Sequence, residues 1–222
     1  MSELRLLYFF DPLCGWCYAS APALAALAEH YPQQLQLMPS GLFSGQGARP
    51  MSRDFADYAW QNDQRIEKMT GQRFTEAYLQ QVLHGKDVRF DSSYASLAMT
   101  AAAAMAPALE AQLLHALQLA RYVEGVDTSK AEHVAAICQQ VAETQGISLS
   151  RQEWLEKLQD STVVAQRDAR IGQAQQFMQQ LGIQGVPQLV VNKGDQYGVI
   201  SGGALYQDKE ALLEMIASAF RA

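Results

Sequence analysis

Strand-type and helix-type patterning are segregated along this chain, and that segregation restricts its fold more than any other feature. Leu4 to Phe10 is a short run of apolar and aromatic residues closed by Asp11-Pro12, as expected of a strand buried on both faces. Leu35 to Pro39 reads as a second strand, and Ser40 to Pro50, with Gly41, Gly45 and Gly47, as a loop. From about residue 51 to 180 the apolar residues recur at helical spacing, with almost no strand signal. The spacing predicts helices over Ser52–Met69, Phe74–Leu83, Ser92–Met105, Pro107–Val123, Ser129–Gln145 and Ser150–Leu181. After Gly182 the strand signal returns. "VPQLVVN", a turn at Lys193-Gly194-Asp195 and "YGVISGG" make a hairpin. Asp208–Arg221 follows as an amphipathic helix with Leu212, Leu213, Ile216 and Phe220 on one face. The order β-α-β, helical block, β-β-α implies an α/β fold in which the two ends share one sheet and the helices are an insertion.

Local signals refine this reading. Ser129 precedes Glu132 and Ser150 precedes Glu153, both at capping-box spacing. Asp91 or Ser92 can cap the Ala-rich helix, Pro107 can open the next, and Gly125 and Gly146 sit at helix ends. Between the first two strands a helix is predicted over Cys14–His30. Pro22 should kink it, because proline lacks one backbone donor and crowds the preceding turn.

The chemistry concentrates at Cys14-Gly15-Trp16-Cys17, where the first strand gives way to that helix. A structural zinc site would need two further ligands in paired spacing. No second Cys-x-x-Cys exists and His30, His84, His115 and His133 stand singly, so no metal is expected. A dithiol at a helix start has a physical use. The unpaired N–H groups of the first turn favour a thiolate on Cys14, and the thiolate is the nucleophile. Cys17 lies one turn on, on the same side, and can resolve a mixed disulfide. Gly15 would allow a substrate backbone to approach, and Trp16 would add an exposed apolar surface. Pro187, after Gly185-Val186, sits where a proline can open a strand.

A strand, a Cys-x-x-Cys at a helix start, a long helical insertion and a late Gly-Val-Pro strand together resemble the DsbA-like branch of the thioredoxin superfamily. "FFDPLCGWCY" is most similar to FrnE-type members, which also carry an Asp three residues before the first cysteine. The resemblance implies a thioredoxin fold over residues 1–50 and 165–222 with an inserted all-helical domain over 51–164. It implies a thiol–disulfide oxidoreductase or isomerase with Cys14 as nucleophile and Cys17 as resolving thiol. It also implies a cis bond at Pro187, with Val186 beside the dithiol, and a substrate surface formed by Val186, Pro187 and Trp16. The chain departs from the pattern six residues before the first cysteine, where the family places a buried acid and this sequence has Tyr8. Asp11 is then the candidate for proton transfer, although its charge would also oppose a thiolate.

Two other functions share the architecture. Kappa-class transferases and hydroxychromene-carboxylate isomerases use glutathione, but they usually place Ser at the Cys14 position and lack the second cysteine. A peptide-binding module using the groove around Pro187 would not need the thiols at all. The complete dithiol favours redox exchange with protein or small-molecule thiols and disulfides. No bound cofactor is expected, and glutathione is a possible redox partner.

Composition closes off several classes. A net charge of −6 with dispersed basic residues argues against nucleic acid. The N-terminal "MSELRLLYFFDP" lacks the charge and apolar core of a secretory signal, and no stretch suits a membrane span, so a cytoplasmic location is expected. In a reducing cytosol such a dithiol would be largely reduced, which suits reductase or isomerase traffic. Cys138, among Val134, Ile137 and Val141, reads as a buried inert thiol. Trp60 and Trp154 read as packing residues, His115 and His133 as helix-surface or core-edge residues, and "QAQQFMQQL" as a solvated helix face.

Overall fold

A computed structural model of the chain describes residues 4–206 and 208–221. Its main sheet has the order β2-β1-β5-β6, built from β1 (Leu4–Phe10), β2 (Leu35–Pro39), β5 (Gln188–Lys193) and β6 (Gln196–Ser201). β1 is parallel to β2 and antiparallel to β5, and β6 is antiparallel to β5. A parallel pair needs a crossover. It is supplied by α1 (Gly15–Ala19) and α2 (Ala21–His30). The two ends of the chain do form one sheet, as the patterning predicts.

Both faces of β1 are covered, which is why its sequence shows no polar alternation. Leu6, Tyr8 and Phe10 face the core that includes Leu24 and Leu27 of α2. Leu7 and Phe9 face the other way, onto Met38, Val190 and Ala174. Each such side chain contributes about 1.5–3 kcal/mol on burial.

The expected helix over Cys14–His30 is two helices. Ser20 (φ −88°, ψ 7°) interrupts it, and Pro22 falls in the first turn of α2. There its missing N–H costs nothing, because first-turn donors have no intrahelical partner. The anticipated kink is thus a clean break two residues before the proline.

The middle of the chain folds into α3 (Arg53–Thr70), α4 (Glu76–Tyr78) running into a π turn at Leu79–Leu83, α5 (Ser93–Met105), α6 (Pro107–Tyr122), α7 (Ala131–Thr144), α8 (Arg151–Gln159) and α9 (Ser161–Gln180). The Ser150–Glu153 capping box forms. The Ser129–Glu132 box does not, because the helix starts one residue later than the box requires, with Lys130 at its N-cap; the Ser129 hydroxyl donates to Asp127 at 2.6 Å. The single helix expected over Ser150–Leu181 is split at Asp160, whose carboxylate caps α9 by accepting from the Thr162 N–H at 2.7 Å. Apolar periodicity does not see such a junction, because both helices keep their stripe towards the core. A two-residue ribbon, β3 (Arg49–Pro50) with β4 (Arg89–Phe90), is too short to register in a pattern.

The Gln-rich stretch of α9 is only half solvated. Ala174, Phe177, Met178 and Leu181 recur at three and four and cover the second face of the sheet. The helix also ties elements together. Arg170 donates to the Leu37 carbonyl (3.0 Å), the Thr100 hydroxyl (3.2 Å) and the Glu110 carboxylate, linking β2, α5 and α6.

The hairpin turn is tighter than expected. Lys193 still pairs with Gln196, leaving Gly194-Asp195 as the loop. Gly202 and Gly203 leave the strand and start α10 (Gly202–Leu205). The last helix, α11 (Lys209–Arg221), buries Leu212 and Ile216 as expected. The Phe220 side chain predicted for the same face lies outside the described residues. Trp154 is fully buried, and Cys138 is buried with its thiol pushed well up by burial.

Candidate active site

β1 ends at Phe10, and Asp11-Pro12-Leu13 delivers the chain to α1 with Cys14 at its N-cap, in extended conformation. The loop is tightly held. The Cys14 N–H donates to the Asp11 carbonyl (3.1 Å), and the Asp11 carboxylate accepts from the N–H groups of Leu13 and Phe43 (both 3.0 Å) and from the Ser92 hydroxyl (3.1 Å). Burial pushes the Asp11 carboxyl up to about 6, against the pull of those three donors.

Cys14 is 8% exposed and Cys17 1%, so Cys14 is the more accessible of the two. The Cys17 thiol is hydrogen-bonded to Cys14, and burial followed by that neighbour drives it well above the ordinary thiol range. α1 has only five residues. What it presents to Cys14 is the unpaired N–H groups of one turn and not a long aligned dipole.

The partner strand is placed by sheet register. Gln188 lies opposite Phe9, so the residues just before it flank the end of β1. The Val186-Pro187 bond is cis, and the Cys14 thiol points at the Val186 carbonyl at 3.6 Å. Sequence physics by itself favours trans at any proline. The cis bond matches what the family resemblance implies. Trp16 is half-buried instead of fully exposed, its ring 4.9 Å from that of Tyr206. Trp16, Gly185, Val186, Pro187 and Tyr206 line a shallow cleft of about 200 Å³ beside the dithiol.

Beneath the dithiol lies Tyr8, fully buried where the family pattern has an acid. The Ser20 hydroxyl donates to the Cys17 carbonyl at 2.9 Å, so the Tyr8 phenol, 2.6 Å from Ser20, is the donor to it. Burial, then the nearby Cys17, pushes the Tyr8 phenol well up, so it stays protonated.

The helical insertion contributes a second support that the sequence does not announce. A Cβ on Gly15 would lie 2.6 Å from the Asp63 carboxylate oxygen and 3.0 Å from Ile66 Cδ1, both on α3. Gly15 thus makes room for α3, whereas the sequence suggests only room for substrate. Asp63 is buried, accepts from the Tyr78 hydroxyl at 3.0 Å, and is pushed up to about 7 by burial. Arg121, also buried, lies against the faces of Phe90 (5.3 Å), Tyr78 (5.7 Å) and Tyr122 (6.0 Å). Tyr122 donates to the Leu13 carbonyl at 2.8 Å, next to Cys14. Asp63, Tyr78, Arg121, Tyr122 and Tyr206 escape sequence reading because each reaches the redox turn only through tertiary packing; Ser20 is three residues from Cys17, and its contact is local. Among the described residues, no group of three or more His, Cys, Asp or Glu side chains is placed to hold a metal ion.

A thioredoxin-type sheet, a dithiol at the N-cap of its first helix and a cis-proline strand facing that dithiol define the class of DsbA-like proteins with a helical insertion. A DSBA-like thioredoxin domain matches residues 5–213, and the chain belongs to that family. A comparison with curated protein sequences gave no significant match. Among solved structures, the chain is similar to the cytosolic disulfide reductase DsbM from Pseudomonas aeruginosa, with 26% identity, TM-score 0.82 and 98% of each chain covered. A second structure of that protein, with GSH, aligns at 24% identity and TM-score 0.79, over 98% of this chain and 100% of the other. A putative protein disulfide isomerase from Nitrosomonas europaea shares the fold at 24% identity and TM-score 0.75, over 99% of this chain and 98% of the other. No helix among the described residues is long and apolar enough to cross a membrane.

Proposed function

We propose that the protein is a thiol–disulfide oxidoreductase that works in the cytosol as a disulfide reductase or isomerase, with Cys14 as nucleophile and Cys17 as resolving thiol. The observation that carries this reading is the convergence of the more exposed Cys14, the hydrogen-bonded Cys17 and the Val186 carbonyl before cis-Pro187. The Cys14 thiolate attacks one sulfur of a substrate disulfide and releases the other as a thiol, forming a mixed disulfide. The Cys17 thiol then loses its proton and attacks Cys14 Sγ. The Cys14–Cys17 disulfide closes and the second substrate thiol leaves. The substrate gains two electrons and two protons, and the enzyme dithiol supplies them. Two molecules of a small thiol such as glutathione return the enzyme to the dithiol and leave as their own disulfide. Glutathione is the proposed small-thiol partner, supported by the similarity to DsbM, one structure of which is described with GSH. Val186, Pro187 and Trp16 are the proposed substrate surface, the Val186 backbone meeting an extended chain as an added strand would.

Reduction of insulin, with glutathione as electron source, tests this reading. Catalysed precipitation of the insulin B chain is expected, and none above the glutathione background would overturn it. Alkylation of the reduced protein at neutral pH should label Cys14 first and leave Cys138 unmodified until unfolding, because burial holds the Cys138 thiol neutral. A peptide map showing Cys17 or Cys138 labelled ahead of Cys14 would reverse the assignment.

A further inference from the structure

Where α3 of the helical insertion meets the redox turn, the Asp63 carboxylate fills the space beside Gly15 that any side chain would need. We propose that Asp63 is a positioning residue of the redox turn, its carboxyl forming the floor under Gly15 and its charge setting how readily Cys14 holds a thiolate. The inference rests on the redox reading above. Its geometry is independent of it.

The surroundings of Asp63 define its electrostatics. From α4, Tyr78 donates to Asp63 Oδ2. From α6, the Arg121 guanidinium offsets its charge, and Tyr122 feels both the Asp63 carboxylate and the Cys14 thiolate. From its own helix Asn62 hydrogen-bonds to it, and from α1 the neighbour is Gly15. Ile66, which also meets Gly15, and the neighbouring cluster with Ala59 and Val82 carry no charge. A carboxylate here is tolerated because Arg121 and Tyr78 stabilise it. Burial opposes it strongly enough that it titrates near pH 7. Below that pH the floor is neutral. Above it, a negative charge sits against Gly15, one residue from Cys14, and like charges repel. Reduced enzyme should therefore be disfavoured as Asp63 ionises, making the dithiol a stronger reductant at alkaline pH than its own thiols dictate.

The test is the dithiol–disulfide equilibrium against glutathione redox buffers, read by the alkylation mass shift, at pH 5.5 and pH 8.5. Asp63→Asn keeps the shape and removes the charge. At pH 8.5 it should favour the reduced form by about fivefold or more relative to wild type, and at pH 5.5 the two should agree within about twofold. Tyr78→Phe withdraws the donor from Asp63, keeps it neutral to higher pH, and should reproduce part of the shift at pH 7.5 with none at pH 5.5. If Asp63→Asn does not fold, the Tyr78→Phe result decides. Equal ratios at both pH values overturn the role of Asp63. Wild-type protein showing no Cys14–Cys17 transition in any glutathione buffer overturns the redox reading itself.

Discussion

Replacing Cys14 with Ser should reduce insulin-reducing activity by about 10³-fold or more, to the uncatalysed background, because a hydroxyl neither ionises near neutral pH nor forms the mixed disulfide. Replacing Cys17 with Ser should give a different failure. Cys14 can still attack, but nothing closes the internal disulfide, so the Cys17→Ser variant should accumulate a stable adduct with glutathione or with a substrate protein. Mass spectrometry after exposure to oxidised glutathione reads the difference directly, as one glutathione added to Cys17→Ser and none to Cys14→Ser. The asymmetry follows from burial. Cys14 reaches the cleft beside Val186, whereas Cys17 packs below it against Tyr8 and Ser20 and is reachable only through Cys14. A glutathione-dependent isomerase in which the thiols are idle would retain its activity in both variants.

The parts of this site that sequence reading reaches are those written in contiguous residues. Leu4–Phe10 specifies a strand buried on both faces, Cys14 and Cys17 are one turn apart, and the β-branched run after Pro187 specifies the facing strand. Periodicity also places α3, α5, α6 and α7 to within one or two residues. Single side chains decided what it missed. Ser20 and Pro22 divide the first helix, and Asp160 divides the last long one, yet the apolar stripe runs through both junctions unchanged. Ser129 lies one residue before the position that caps its helix, Lys130, and spacing alone cannot fix a helix start that closely. Asp63 lies 48 residues beyond Gly15 and shows no local signal, since a charged residue on a helix is solvated far more often than buried. The Gly of Cys-Gly-Trp-Cys is legible as a small residue, but the reason for its size lies on another element.

The second large effect concerns stability. Arg170→Met should destabilise the protein by about 3–5 kcal/mol at pH 8, the cost typical of leaving one member of a buried ion pair without its partner. In a chain of this length that corresponds to roughly 6–20 °C in melting temperature. Glu110 is the group left behind. It is 5% exposed, and burial outweighs Arg170 and pushes its carboxyl up to about 7 even in the intact pair. The sign of the pH dependence follows. A carboxyl whose folded-state pKa is raised binds more protons folded than unfolded between its unfolded pKa, about 4.3, and its folded one, so its contribution to stability falls as pH rises through that window. Without Arg170 the folded-state value climbs further and the loss continues above pH 7. The deficit of Arg170→Met relative to wild type should therefore be largest at pH 8 and shrink by pH 5.5, where Glu110 is neutral in both proteins. It should not vanish there, because the bonds from Arg170 to the Leu37 carbonyl and the Thr100 hydroxyl are lost at every pH. Denaturant unfolding of both proteins at the two pH values measures it. A deficit below about 1 kcal/mol at pH 8, or one that grows on acidification, would mean that solvent reaches Glu110 and that the Arg170 contacts do not hold β2, α5 and α6 together.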